Sequence, residues 1–274
     1  MIDSVGLEAA PAGLAEHQVA IWALGQAGFI AQGRAKTVVF DPYLSDSIML
    51  DALGPRQFPP PIDPSALRGV DVVFISHDHG DHLDPETLHP LLSASPKCHF
   101  AAPGRSRDLL LEMGARAEQV FVPAPDAEQL IAGVAVRAVP SAHYEWETDK
   151  EGLPRYYGYI VRLGEVTIYH AGDTILYDGM IERLRRQRID VAILPINGRD
   201  WPRERAGLVG NLDAAEALYL ADAIDAGLLI PCHYDLFGGN SVNPAHFVDL
   251  LYRRYQHQRF KLMQPGERIV VAAS

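Results

Sequence analysis

Cysteine is scarce in this chain: Cys98 and Cys232 are the only two among 274 residues, far apart and outside any CxxC spacing. A disulfide scaffold and a thiolate zinc ribbon are therefore both excluded as folding strategies. Positive charge is also short, with 24 Lys and Arg against 35 Asp and Glu and a formal net charge of −11. Gripping long DNA or RNA depends on phosphate neutralisation by Lys and Arg, so nucleic acid is not the expected partner and a small molecule is. No apolar run approaches the roughly 20 residues of a membrane span. The Met1–Leu14 stretch carries acidic residues and no apolar centre of signal-peptide length, so a cytoplasmic location with reduced thiols is expected. What the chain does have is 48% apolar and 22% charged residues, the balance of a globular protein with a substantial core. A single domain over residues 1–274 is the expectation, and apolar positions on the outer helices leave a homo-oligomer open.

The densest chemistry lies in Ser76-His77-Asp78-His79-Gly80-Asp81-His82, directly after the apolar run Val70-Asp71-Val72-Val73-Phe74-Ile75. Three imidazoles and two carboxylates at the mouth of a buried strand are costly unless something coordinates and neutralises them. In an extended turn, residues two apart point the same way. His77 and His79 can therefore clamp one ion with Asp81 facing them, while His82, offset by one, is free to serve a second. A two-metal site is the expectation.

The same layout recurs along the chain. Strands are expected at His17–Leu24 and Phe29–Ala31 around a Gly25-Gln26-Ala27-Gly28 hairpin, and at Thr37–Phe40, ending in Asp41-Pro42-Tyr43. Asp41 is equally a turn former or a carboxylate that orients a metal-binding histidine. The Pro-rich stretch 44–64 has no periodic pattern and reads as a long loop or flap that could cover the site. Asp84-Pro85-Glu86 starts a helix, and further strands and helices alternate up to Gly114. Leu130–Val139 reads as one strand leading to His143. Val166–Tyr169 leads to His170 and Asp173, Ile189–Pro195 follows a helix at Met180–Arg188, and Asn197–Asn211 reads as a loop. Asp213 and Glu216 form a capping box, and Leu228–Pro231 leads to His233. Weak echoes between 37–75 and 166–195 suggest two similar halves. Alternating strands and helices with polar residues at strand ends define an α/β layered protein.

With Asp41, the 77–82 group, His143, Asp173 and His233 at five strand ends, the chain resembles the metallo-β-lactamase superfamily, whose pattern is an early Asp, HxHxDH, then a His, an Asp and a last His. The resemblance implies a four-layered αββα sandwich with a dinuclear site at one edge of its two sheets. It makes His77, His79 and His143 ligands of one metal and Asp81, His82 and His233 ligands of the other. Asp173 would bridge the two, Asp41 would lie behind the ligands, and His170 would pack beneath the site without ligating. Within the superfamily the chain is most similar to the L-ascorbate-6-phosphate lactonase group, through Leu24–Phe29, His77–His82, Ile168–Asp173, Ile189–Ala192 and Leu229–Asp235. It departs from that group at Ser141-Ala142-His143.

Imidazole and carboxylate ligands without thiolate suit zinc, manganese or iron. The lactonase resemblance leans to manganese and the full histidine set to zinc. Two ions sharing a water can generate hydroxide near neutral pH, with Asp81 as a proton acceptor. The implied activity is hydrolysis of a small lactone or ester, which could be phosphorylated. Phosphodiester cleavage and a non-hydrolytic di-iron or metal-binding role are the alternatives. Asn197, Arg199, Trp201 and Tyr234 are the expected substrate contacts, whereas Arg203 and Arg205 read as solvated loop residues paired with acidic neighbours.

Overall fold

The computed structural model describes residues 13–48 and 50–273, so Met1 to residue 12, most of the N-terminal stretch discussed above, lie outside the described residues. The chain runs β1 (Gln18–Gly25), β2 (Gly28–Gln32), β3 (Thr37–Phe40), β4 (Val72–Phe74), α1 (Pro85–Ala94), β5 (His99–Ala101), α2 (Gly104–Glu112), β6 (Val120–Phe121), β7 (Glu128–Ile131), β8 (Val134–Pro140), β9 (Tyr157–Leu163) and β10 (Val166–His170). It continues through α3 (Met180–Leu184), β11 (Val191–Pro195), α4 (Trp201–Arg205), α5 (Ala214–Ala223), β12 (Leu228–Cys232), α6 (Ala245–Arg254) and β13 (Arg268–Ala272). One sheet has the order β13-β1-β2-β3-β4-β5-β6 and the other β12-β11-β10-β9-β8-β7.

Side-chain alternation explains the layering. In β3 and β4, Val38, Phe40, Val72 and Phe74 face the second sheet, meeting Tyr157, Tyr159, Val161 and Ile168. Val39 and Val73 point outward and are covered by Leu88 and Leu91 of α1 and Leu110 of α2. On the far side, Ala192, Leu194 and Leu229 are covered by α3, α5 and α6. Two mixed sheets flanked by helices make the αββα sandwich that the resemblance implied. Among the described residues no helix is long and apolar enough to cross a membrane.

Each sheet contains parallel strands, β3 to β6 in one and β10 to β12 in the other. Both parallel pairs begin with the same clip. Asp71 Oδ2 accepts the Thr37 amide at 2.9 Å, and Asp190 Oδ2 accepts the Thr167 amide at 2.8 Å. These carboxylates start β4 and β11 in register with β3 and β10, which is the physical content of the sequence echoes.

Three expectations differ from the structure. The 130–139 run is a hairpin rather than one strand, because Ala132 and Gly133 both adopt positive φ (49° and 80°) and reverse the chain. The helix from Met180 ends at Leu184, since Asp190 is already drawn into the sheet by its amide bond to Thr167 O at 3.0 Å. The 197–211 segment contains α4, started by Asp200, whose side chain accepts the Arg203 amide at 3.0 Å.

Phe74 is fully buried between Phe40 and Tyr159, at centroid distances of 5.2 and 5.0 Å. Phe74→Ala is expected to cost about 3–5 kcal/mol of stability in denaturant titration. Tyr219→Ala, on an exposed face, should stay within about 0.5 kcal/mol.

Candidate metal centre

Strand ends from both sheets meet at one edge of the sandwich, outside the carboxyl ends of the parallel strands, where α/β sheets commonly place ligands. Asp41 follows β3 and the 76–82 loop follows β4. His143 comes after β8, Asp173 after β10 and His233 after β12. Backbone strain accompanies two of these exits, with φ of 37° at Asp41 and 59° at His233. Gly172, at φ 60°, has no room for a side chain: a Cβ there would lie 2.6 Å from Ser76 Cβ.

The structure brings His77, His79, Asp81, His82, His143, Asp173 and His233 together. Their ligand atoms fall into three groups, each within 4.8 Å: His77 with His79 and His143, His77 with His82 and Asp173, and Asp81 with His82 and His233. Asp173 stands centrally, its oxygens 3.3 Å from His82 Nε2, 3.3 Å from His233 Nε2 and 3.6 Å from His143 Nε2.

The rings are oriented from behind. Asp41, fully buried, accepts the Ser76 amide (2.7 Å), Ser76 Oγ–H (2.6 Å) and His82 Nδ1–H (2.8 Å). Ser76 Oγ in turn meets His77 Nδ1 at 2.9 Å, and His143 Nδ1–H donates to Gly210 O at 3.1 Å. Three histidines thus spend Nδ1 on the protein and turn Nε2 towards the centre. His77 Nε2, His82 Nε2 and Asp173 Oδ1 are buried with no hydrogen-bond partner. Orphaned donor atoms of this kind fit a bound cation.

Electrostatics point the same way. Burial and the neighbouring His82 and His79 hold His77 well below the ordinary imidazole value, and burial takes His143 down to about 4. Burial would lower His82 and His233 too, but Asp173 and Asp81 outweigh it, raising His82 and bringing His233 to about 10. Asp81 and Asp173 are held below the carboxylate range because the charges of His82 and His233 outweigh their burial. Two buried carboxylates demand positive charge, and without a metal two imidazoles supply it as protons.

A cavity of about 500 Å³ opens onto this cluster, with His79, Asp81, His143, Asp173 and His233 on its floor. The four expected substrate residues do not line it. Arg199 is committed to Glu216 at 2.6 and 2.8 Å, Trp201 is 71% exposed under Arg205, Asn197 is buried between Asn211 and Asn240, and Tyr234 packs into the outer core. The cavity's cations are Arg105 and Arg155 instead. Arg203 is paired with Asp200, but it is not the solvated loop residue expected: it lies in α4, is largely buried and also donates to Asn197 O at 2.8 Å.

Sequence reasoning also passed over Gln26. The β1–β2 turn carries it, at φ 54°, into the centre, where Nε2 donates to Asp81 Oδ2 at 2.7 Å and lies 3.1 Å from His233 Nε2. Its carbonyl accepts the His233 amide at 2.8 Å. The signal available was a polar side chain between two glycines beside a buried hairpin. His170 is not among the grouped donors: its Nε2–H donates to Ala27 O at 2.8 Å, its Nδ1 accepts the Gly172 amide at 3.2 Å, and its ring stacks on Phe40.

A sandwich of two mixed sheets with a histidine- and aspartate-lined cleft at the strand ends defines the metallo-β-lactamase class of fold. The model of the beta-lactamase superfamily domain matches residues 36–234, and the chain belongs to that superfamily. A relative from Thermofilum pendens, named a UPF0173 metal-dependent hydrolase, is 27% identical over 253 residues, spanning 90% of this chain and 96% of its own. Two solved structures share the fold. Igni18, a metallo hydrolase from Ignicoccus hospitalis, has a TM-score of 0.68 at 21% identity, over 92% of this chain and 98% of its own. An isothiocyanate hydrolase from Delia radicum gut bacteria has a TM-score of 0.72 at 19% identity, over 93% and 100%.

Gln26→Ala removes the amide that steadies Asp81 and should weaken metal binding by about ten-fold or more, measured by competition with a chelating dye. A second expectation concerns pH. His233 holds its proton up to about 10 in the fold against an ordinary 6.5. Its stabilising contribution is complete below 6.5 and lost as pH rises through 10. The melting temperature of chelator-stripped protein should fall over that window, and a flat profile would contradict the charge pattern.

Proposed function

We propose that the protein is a metal-dependent hydrolase with a dinuclear centre, acting on a small lactone or related ester. The observation that carries this reading is the convergence of His77, His82 and His143 Nε2 atoms on Asp173, each ring held by an Nδ1 hydrogen bond, with His143 and Asp173 open to a substrate-sized cavity and His77 and His82 buried behind them. The name of the Thermofilum pendens relative, a metal-dependent hydrolase, supports the reaction class.

In this reading His77, His79 and His143 hold one ion, Asp81, His82 and His233 the other, and Asp173 lies between. The donors suit zinc or manganese, with iron as a third candidate. Cys232 stays out of the set because it packs in the core between the sheets. Ions bound there would supply Lewis acidity to a carbonyl oxygen and lower the pKa of water from about 15.7 towards 7. Asp81 lines the cavity and is steadied by Gln26, so it is placed to take a proton from the attacking water and pass it to the leaving alkoxide. Asp41 and Ser76 keep His82 and His77 in one tautomer throughout the cycle.

The test is hydrolysis by protein loaded separately with zinc, manganese or iron and offered lactones, sugar-phosphate lactones and model phosphodiesters. Ring opening should depend on metal and fall by at least about a hundred-fold in His79→Ala. Inert lactones alongside cleaved phosphodiesters would replace the substrate class, and inertness towards both with metal firmly bound would sink the hydrolase reading.

A further inference from the structure

The cavity has two unlike walls. On one side Ile48 and Leu53 from the segment after Asp41 pack with Leu208, and Leu50 and Val209 also line the cavity. Leu50 is 57% exposed although it faces a cleft, and an adjoining hollow of about 310 Å³ continues past Ile48 and Leu50 to Pro55. Apolar side chains left open beside a polar floor are most useful against an apolar part of a ligand.

The other wall is built on Asp78. This residue separates His77 from His79, so whatever it holds is fixed within one residue of the proposed metal ligands. Arg155 binds both of its oxygens at 2.9 and 3.1 Å and is also paired with Glu147 at 2.7 Å. That guanidinium is locked and neutralised. Arg105 differs: its Nε reaches Asp78 at 2.7 Å, its side chain is 62% exposed, and its two terminal nitrogens have no partner among the described residues. Asp78 and Glu147 together offset the charge of the two arginines, but the terminal nitrogens of Arg105 remain presented to the cavity as an open guanidinium fork. Such a fork matches the two oxygens of a carboxylate or phosphate.

We propose that the substrate is an acyl ester with an apolar acyl arm against Leu50, Leu53 and Leu208 and a compact oxyanion on its alcohol side, bound by Arg105. Only the bond cut rests on the hydrolase reading; the binding mode does not. In the reaction the oxygen of water bonds to the acyl carbon, the acyl C–O bond breaks, and the proton of water goes to the leaving alkoxide. The products are an apolar carboxylic acid and an anionic hydroxy compound.

The test uses metal-loaded full-length protein and ligands that resist cleavage. Calorimetry compares N-hexanoylglycine, which carries the anion, with N-hexanoylglycinamide, which does not, and with N-acetylglycine, which lacks the arm. The hexanoyl anion should bind about ten-fold or more tightly than the amide, as expected for a charge-assisted bond. Arg105→Gln should erase that difference, while Leu50→Ser should shrink the preference for hexanoyl over acetyl and leave the anion preference intact. Both positions are exposed, so the variants should fold, and matching melting temperatures would show it. Anion preference that persists in Arg105→Gln would mean that the metal or another group holds the carboxylate, and would overturn the proposal, as would equal binding of all three ligands. Hexanoyloxyacetate, the matching ester, separates the two readings. Correct binding without its hydrolysis would defeat the hydrolase reading alone, and hydrolysis without discrimination between the ligands would defeat this one alone.

Discussion

The carboxylate of Asp41 is fully buried and would be expensive there without donors, yet it receives three: the Ser76 amide, the Ser76 hydroxyl and His82 Nδ1. This one group ends β3, closes the loop after β4 and sets the tautomer of His82. Through Ser76 Oγ it also reaches His77. The same loop is anchored from the opposite sheet, since Ser76 O accepts the Tyr157 amide at 2.9 Å and Ile75 O accepts the Tyr159 hydroxyl at 2.8 Å. A loop that carries five ionisable groups can be rigid because its backbone is committed to both sheets.

His170 performs a related task one layer down. With one ring nitrogen donating to Ala27 and the other accepting from Gly172, it is held neutral and joins the turn that carries Gln26 to the turn that carries Asp173. Burial keeps its pKa below the ordinary value, in keeping with that neutral bridge. The rings of His77, His82 and His143 are thus held from behind, and His77 Nε2, His82 Nε2 and Asp173 Oδ1 are left unpaired at the centre.

Much of this was legible because metal chemistry and strand periodicity leave local marks. Apolar runs ending in His or Asp located all five strand ends, and the HxHxDH spacing located the loop. The parts that were not legible depend on pairings across the fold. Arg199 looks like a free cation in sequence, but Glu216, at the capping-box position of α5, stands within 2.6 Å of it. Arg105 looks like an ordinary helix residue, and only the packing of α2 beside the 77–82 loop gives it a place at the cavity. The Ala132-Gly133 reversal was hidden because alanine rarely adopts positive φ, so an apolar alternation across it reads as one strand.

The grouped side chains are divided between the two sheets: those of residues 77–82, with Asp41 behind them, belong to one, and His143, Asp173 and His233 to the other. Their separation is therefore set by how thickly Phe40, Phe74, Tyr159 and Val161 fill the space between the sheets. The cleft acts as a caliper on its own core. A methylene gained or lost a layer below the cleft would change the gap across which the two sets of side chains face each other, so the interior side chains set the dimensions of the cleft.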